Sequence, residues 1–308
     1  MTVLAVKLPH VNGDHGTSPA LMHAIETRMF SLVNDGFAFS NGVEPLAQQA
    51  AAYHLASGGQ RIRAQLAIDA SLALKLSTGD AVSIAAAAEL VHNASLVHDD
   101  LQDRDLTRHG VSTVWSVYGD GIAICAGDLL LSAAYCALSG LSRPHLLPTL
   151  LPLLHGRISA ASMGQCADLT AETSRVVTAK EYENLAALKS GSLLALPLEL
   201  ALVAGGELQA IAEARRAAES FAIGYQIFDD LNDVKKDLLR RSAQPAINAV
   251  AVMQHHDSSC DARRLASQLA LKHLQVSAQT SLSLPKQSGR LLHQLSLELA
   301  ARINVGTP

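Results

Sequence analysis

Apolar residues recur along this chain at three- and four-residue intervals, and the gaps between such stretches hold Gly, Pro, Ser or Asp. This spacing builds helices with one buried face. β-Branched runs are short, and Ala and Leu, both strong helix formers, dominate. The pattern predicts helices near 18–36, 43–56, 61–76, 81–103, 120–139, 145–170, 179–189, 191–204, 207–238, 246–256, 261–281 and 286–303, with breaks at Ser57-Gly58-Gly59, Ser77 to Asp80, Gly140 to Pro144, Gly205-Gly206 and Arg240 to Pro245. Thr178 followed by Glu181 reads as a capping box. No linker and no solenoid repeat divides the chain, so the expectation is an all-α, single-domain helical bundle over 1–308, with 1–17 as a flexible N-terminal segment.

One helix stands apart. From Ala81 to Val97 it is apolar almost all round, which marks a central, buried element. It then ends in Asp99, Asp100, Asp103 and Asp105. Carboxylates at the end of a core helix are costly without a partner, so this acid asks for a function.

Composition narrows the field. With 308 residues and 49% hydrophobic content the chain can bury a large core, and a net charge of −4 gives no basic field for nucleic acid or an anionic membrane. Cys125, Cys136, Cys166 and Cys260 lie too far apart and too irregularly for a disulfide framework or a zinc set, which points to a reducing, cytoplasmic setting. The first residues lack the apolar core and cleavage site of a secretory signal. The most apolar stretches carry Glu89, Asp128, or Pro197 with Glu199, so no membrane span is expected.

The acid recurs. DDLQD at 99–103 and DDLND at 229–233 share two adjacent aspartates and a third four residues after the first. On a helix Asp99 and Asp103 stand one turn apart on one face, as do Asp229 and Asp233, while Asp100 and Asp230 are turned away by about 100°. One such pattern describes a solvated helix face; two, each closing an apolar run, do not. Like charges this close repel unless a cation lies between them, and hard oxygen donors with few His or Cys nearby select Mg2+, or Mn2+, which shares its shell with substrate phosphate.

With GGQRIR at 58–63, ELVHNASLVHDDLQDRDLTRHG at 89–110, AGDLLL at 126–131, GQCAD at 164–168, Lys189-Ser190 and GYQIFDDLNDV at 224–234, the chain resembles the trans-type polyprenyl diphosphate synthases of the isoprenoid synthase superfamily, the geranylgeranyl and farnesyl diphosphate synthases among them. The resemblance implies a helical bundle around a deep central cavity, with the two clusters on opposite walls, in a homodimer. It also implies three Mg2+ ions bridging the diphosphate of an allylic substrate, with Asp99, Asp103 and Asp229 as ligands. Asp100, Asp230 and Asp233 would orient that shell. Arg108, Lys189 with Ser190, and Gln226 would complete the diphosphate site.

The site for isopentenyl diphosphate departs from the family. Its four positions fall on Gln60, Arg63, His92 and His109, so that two cations have become an amide and a titratable imidazole. Each lost charged hydrogen bond costs about 1.5–3 kcal/mol. The loop after Asp233 is also short, and counting back from Pro245 puts Arg241 at the family's lysine position.

In this family the growing chain runs along the helix before the first cluster, and a bulky residue four or five positions before Asp99 stops it. Here those positions are Ser95 and Ala94, followed by Val91, Leu90, Ala88 and Ala87, a wall about 18 Å long at the helical rise. The expected product is therefore C20, geranylgeranyl diphosphate. The same small residues would equally let helices pack closely. Two further readings stand beside the prenyltransferase: a terpene synthase that ionises a prenyl diphosphate without condensation, favoured by Gln60 and His109 but opposed by Arg63 and His92, and a non-catalytic partner subunit, opposed by both intact clusters.

Overall fold

A computed structural model describes residues 18–34, 44–170, 178–239, 248–256 and 261–306, with backbone alone at 233–239, 256 and 306. The N-terminal segment 1–17 and Arg241 lie outside the described residues.

The chain is helical almost throughout, as the periodicity predicts. In order the α-helices are α1 (Pro19–Asn34), α2 (Leu46–Ala56), α3 (Ile62–Ala73), α4 (Thr78–Gln102), α5 (Val114–Tyr118), α6 (Asp120–Leu138), α7 (Leu147–Thr170), α8 (Ala179–Ala186), α9 (Ser192–Gly205), α10 (Ile211–Leu239), α11 (Ala249–His256), α12 (Ala262–Leu282) and α13 (Arg290–Gly306). The short helix α5 and a hairpin of two-residue strands, β1 (Thr107–Arg108) and β2 (Val111–Ser112), have no counterpart in the periodic pattern. The chain divides into two compact units. One comprises residues 2–154 with Leu200–Gly206, the other His155–Glu199 with 207–308 and Met1.

In the first unit α4 is the buried axis, packed by α1, α3 and α6, with Ala81, Ile84 to Ala88, Leu90, Val91, Ala94 and Val97 all buried. It begins at Thr78, three residues before the expected start. Ser77 Oγ accepts the Asp80 N–H at 3.1 Å and caps the helix. Asp80 in turn accepts from both the N–H and the hydroxyl of Ser142 at 2.7 Å. Gly58 and Gly59 break the chain as expected, with φ of 84° and 137°, and Arg61 follows in the left-handed region at 52°.

In the second unit α12 packs between α10 and α13. Thr178 and Glu181 form the expected capping box at the start of α8: Thr178 Oγ1 accepts the Glu181 N–H at 3.1 Å, and Glu181 Oε2 accepts the Thr178 N–H at 2.9 Å. The expected break near residue 190 is instead a single π turn, Ala187–Gly191, that joins α8 to α9 without leaving the helix. Helix α13 starts four residues later than expected, because Lys286 and Gln287 have φ of 52° and 62°.

Two helical runs, Asp120–Leu138 and Ala179–Gly205, are long and apolar enough to cross a membrane. The second is 78% buried within the fold, the first 44%.

Candidate active site

The first acidic cluster closes α4. Asp103 caps the helix and donates its N–H to the Asp99 carbonyl at 2.8 Å, so the two side chains lie one turn apart, both half-buried. Asp100 points elsewhere. It is 1% exposed and takes a forked ion pair from Arg108, with Nη2 at 2.6 Å and Nε at 2.8 Å from Oδ1 and Nε at 3.1 Å from Oδ2. Burial pushes the Asp100 carboxyl up from its ordinary range, and the guanidinium opposes that shift.

Arg108 is delivered by the hairpin. Thr107 pairs with Ser112, and the turn residues His109 and Gly110 have φ of 53° and 80°, the double left-handed geometry that joins tightly twisted strands. Tyr53 Oη holds the Ser112 carbonyl at 2.8 Å, while Thr113 Oγ1 and Trp115 Nε1 both donate to the Asp105 carbonyl, at 2.7 and 2.8 Å. The segment after the acidic cluster is thereby tied to α2 and α5.

Around Arg108 the first unit gathers positive charge. Arg61, Arg63 and Arg108 all act on the imidazole of His92, which burial and then these charges drive well below its ordinary value. Burial, Arg108 and Arg61 pull His54 down to about 3. His109 is lowered by burial and by Arg108, against the pull of Asp100. Arg61 is paired with Glu26 at 3.5 Å and Glu89 at 3.9 Å, and Arg108 with Asp100. The three guanidinium groups and three imidazoles thus form a cluster of mixed charge, in which an arriving anion would favour protonation of the rings. Three of the expected positions for isopentenyl diphosphate, Arg63, His92 and His109, take part in it. Gln60, the fourth, sits at the turn into α3, where its carbonyl accepts from Gln65 Nε2 at 2.7 Å. Glu89 caps α3 from outside, accepting the Ala64 N–H at 3.0 Å, which fixes the start of the helix that carries Arg63.

Helix α6 meets the acidic end of α4 at Gly127. A Cβ there would run into the His98 imidazole, so only glycine lets the helices approach, and His98 Nε2 lies 3.8 Å from Asp128 Oδ1. Of the chain-length positions, Ala94 and Val91 are buried in packing, and Ser95 is half-buried with its hydroxyl on the His92 carbonyl at 2.8 Å.

The second cluster lies on α10. Asp229 and Asp230 are both buried. Asp230 is held by three donors: Tyr182 Oη and the Ala249 N–H on Oδ2, both at 2.7 Å, and Gln226 Nε2 on Oδ1 at 3.1 Å. Gln226, expected at the diphosphate site, here donates its side-chain N–H to Asp230. Asp233 continues α10, and its side chain lies outside the description.

Lys189 sits in the π turn and pairs with Asp168 of α7 at 2.7 Å. The widened turn is wedged in place, since a Cβ on Gly164 would lie 2.5 Å from the Lys189 nitrogen and one on Gly191 3.0 Å from Glu219 Cα. Lys189, Ser190, Gln226, Tyr182, Asp168 and Gly164 line one partly open pocket. Pattern reading names Lys189, Ser190 and Gln226 but misses Tyr182 and Asp168 as site residues. The available signals are the GQCAD motif for Asp168 and, for Tyr182, a position seven residues before Lys189, two turns along the same face.

Among the described residues no three His, Cys, Asp or Glu side chains converge into a ready-made metal cage. The donor set does fit Mg2+, which binds through one or two carboxylates while waters and substrate phosphate fill the rest of its shell. Asp99 and Asp103, adjacent along one face, supply such a pair.

The polyprenyl synthetase family model matches residues 44–240. A geranylgeranyl diphosphate synthase of Mycobacterium tuberculosis is 36% identical over 223 residues, 65% of this chain and 63% of that protein. A short chain isoprenyl diphosphate synthase of Methanothermobacter thermautotrophicus is 33% identical over 190 residues, 61% of this chain and 58% of that one. Both matches thus span about three-fifths of the relatives' lengths. The fold is that of a geranylgeranyl pyrophosphate synthetase from the archaeon Geoglobus acetivorans, with a TM-score of 0.80 at 23% identity over 91% of this chain and 98% of that one. It is also that of a geranyltranstransferase from Thermotoga maritima, with a TM-score of 0.75 at 23% identity, covering 92% and 98%.

Proposed function

Because this chain belongs to the polyprenyl synthetase family, we propose that it is a trans-prenyltransferase, condensing an allylic diphosphate with isopentenyl diphosphate to give an all-trans product of C20. The observation that carries the reading is that Asp99 and Asp103, on one face of α4, lie in the same unit as Arg63, His92 and His109, which gather around Arg108. The reaction needs both a metal-bound diphosphate that leaves and a second diphosphate that must be held apart from it. The named relatives are diphosphate synthases, which favours condensation over a terpene synthase or a silent partner subunit.

In this reading Asp99 and Asp103 on α4, and Asp229 on α10, would hold Mg2+ or Mn2+. The metal, when bound, would supply positive charge to a diphosphate leaving group. Asp100, engaged with Arg108, and Asp230, engaged with Tyr182, Gln226 and Ala249, set the direction of their neighbours. Lys189 brings a cation to the allylic diphosphate beside Ser190 and Gln226, with Asp168 fixing its ammonium. Arg63, His92 and His109 take the diphosphate of the condensing partner. The double bond of that partner attacks the allylic cation, and the proton it sheds goes to the released diphosphate. No side-chain nucleophile is needed.

The buried share of Ala179–Gly205, and the packing of Asp120–Leu138 on α4, support two core helices in a cytoplasmic enzyme. Ile124, exposed on α6, would lie on the surface of a homodimer contact. Product chromatography after incubation with Mg2+, isopentenyl diphosphate and each allylic primer in turn tests the reading. It expects a C20 diphosphate, and a hydrocarbon or alcohol formed from the primer alone would overturn it.

A further inference from the structure

Asp230 is the point where three helices of the second unit are joined. Its Oδ2 takes the Tyr182 hydroxyl from α8 and the first N–H of α11, its Oδ1 takes Gln226 one turn back on α10, and its own carbonyl accepts Asn248 Nδ2 at 3.2 Å. Only one of these contacts bridges the acidic helix to the wall that carries Lys189. That contact is Tyr182, a phenol 2% exposed and seven residues before Lys189 on the same wall of the pocket.

A buried phenol needs a partner, and among carboxylates near it the geometry gives it Asp230 at 2.7 Å. The hydrogen bond ties α10 to α8 at Asp230. Asp229 is the adjacent residue on α10, so the same bond constrains where its backbone sits relative to Lys189. We propose that Tyr182 is a positioning residue for the second aspartate cluster, acting through Asp230 to hold Asp229 in the geometry that accepts a Mg2+–diphosphate. This rests on the prenyltransferase reading and adds to it a residue that the motifs quoted above do not include.

Tyr182→Phe keeps the ring and removes only the hydroxyl. The test is calorimetric titration of the whole chain with inorganic pyrophosphate in the presence of MgCl2. Three variants are compared with the unmodified protein: Tyr182→Phe, Asp230→Asn, and the two together. Thr178→Ala, which removes the cap of the same helix α8 without touching Asp230, reports what a purely structural loss does. The expected result is about tenfold weaker binding for Tyr182→Phe, the worth of one hydrogen bond to a charged group. Thr178→Ala stays within about twofold, and Tyr182→Phe adds nothing further in the Asp230→Asn background. Unchanged binding in Tyr182→Phe, an equal loss in Thr178→Ala, or additive losses in the double variant would each overturn the role of Tyr182. Failure of the unmodified chain to bind at all would instead remove the reading beneath it, and the inference with it.

Discussion

Arg108 is folded back onto Asp100, its Nη2 2.6 Å from Oδ1 in a pair that is buried on both sides. The motif position of Arg108 suggests a guanidinium held ready for diphosphate, yet it pairs with the middle aspartate of the first cluster. Arg104, four residues earlier, makes a contact to Asp120 at 2.8 Å with both partners more than half exposed.

These two pairs differ in what their loss costs. Removing one partner of a buried pair strands a charge and costs about 3–5 kcal/mol, while an exposed pair contributes about 0–1 kcal/mol. Arg108→Ala is therefore expected to lower unfolding free energy by several-fold more than Arg104→Ala in denaturant titrations. Equal effects would show that the Asp100 pair does not hold the end of α4.

The proposed site for the condensing diphosphate has two positions without a fixed charge, Gln60 and His109. Restoring charge with Gln60→Lys or His109→Arg is expected to lower KM for isopentenyl diphosphate about tenfold each, in line with one charged hydrogen bond. KM for the allylic primer should stay put. Steady-state kinetics with both substrates varied separates the two, and a fall in primer KM alone would place these residues at the other diphosphate.

Folding stability should fall as pH drops below about 6.5. His54 titrates at about 3 in the folded protein against 6.5 ordinarily, so between those values the unfolded chain binds a proton that the folded chain refuses. The slope from His54 is about 1.4 kcal/mol per pH unit, with His92 acting in the same direction. Urea unfolding at pH 7 and pH 5.5 reads this directly, and His54→Gln should flatten the profile. A flat profile in the unmodified protein would contradict the buried, neutral imidazole.

Product length is open to a single substitution. Of the two positions proposed to limit chain growth, Ser95 is half-buried and Ala94 fully buried. Ser95→Phe should shift the product from C20 toward C15 or shorter, read by chromatography, while Ala94→Phe should cost about 1–3 kcal/mol of stability through overpacking. An unchanged C20 product from Ser95→Phe would move the growing chain to another wall.

Much of this was legible before any coordinates. Most helices follow from periodicity because they bury one stripe, α4 and α9 follow from being apolar nearly all round, and Thr178 with Glu181 announces its cap through chemistry confined to four residues. Three features were not. Strands of two residues and the five-residue α5 are too short to carry a period, although they deliver Arg108 and His109. The π turn around Lys189 reads as an ordinary helix break, because its width is set by Gly164 and Glu219 on other helices. Tyr182 looks like any core aromatic until Asp230 is found beside it. In each case the deciding contact is distant in sequence, and local pattern has no access to it.

The most direct test of the whole account is transfer of labelled isopentenyl diphosphate onto an allylic primer by the purified chain, with and without Mg2+. Label should enter a longer prenyl diphosphate with Mg2+, vanish with EDTA, and fall by orders of magnitude in Asp99→Asn, Asp103→Asn and Asp229→Asn. A folded protein that incorporates no label from any primer at saturating Mg2+, or that loses nothing in those variants, would contradict it.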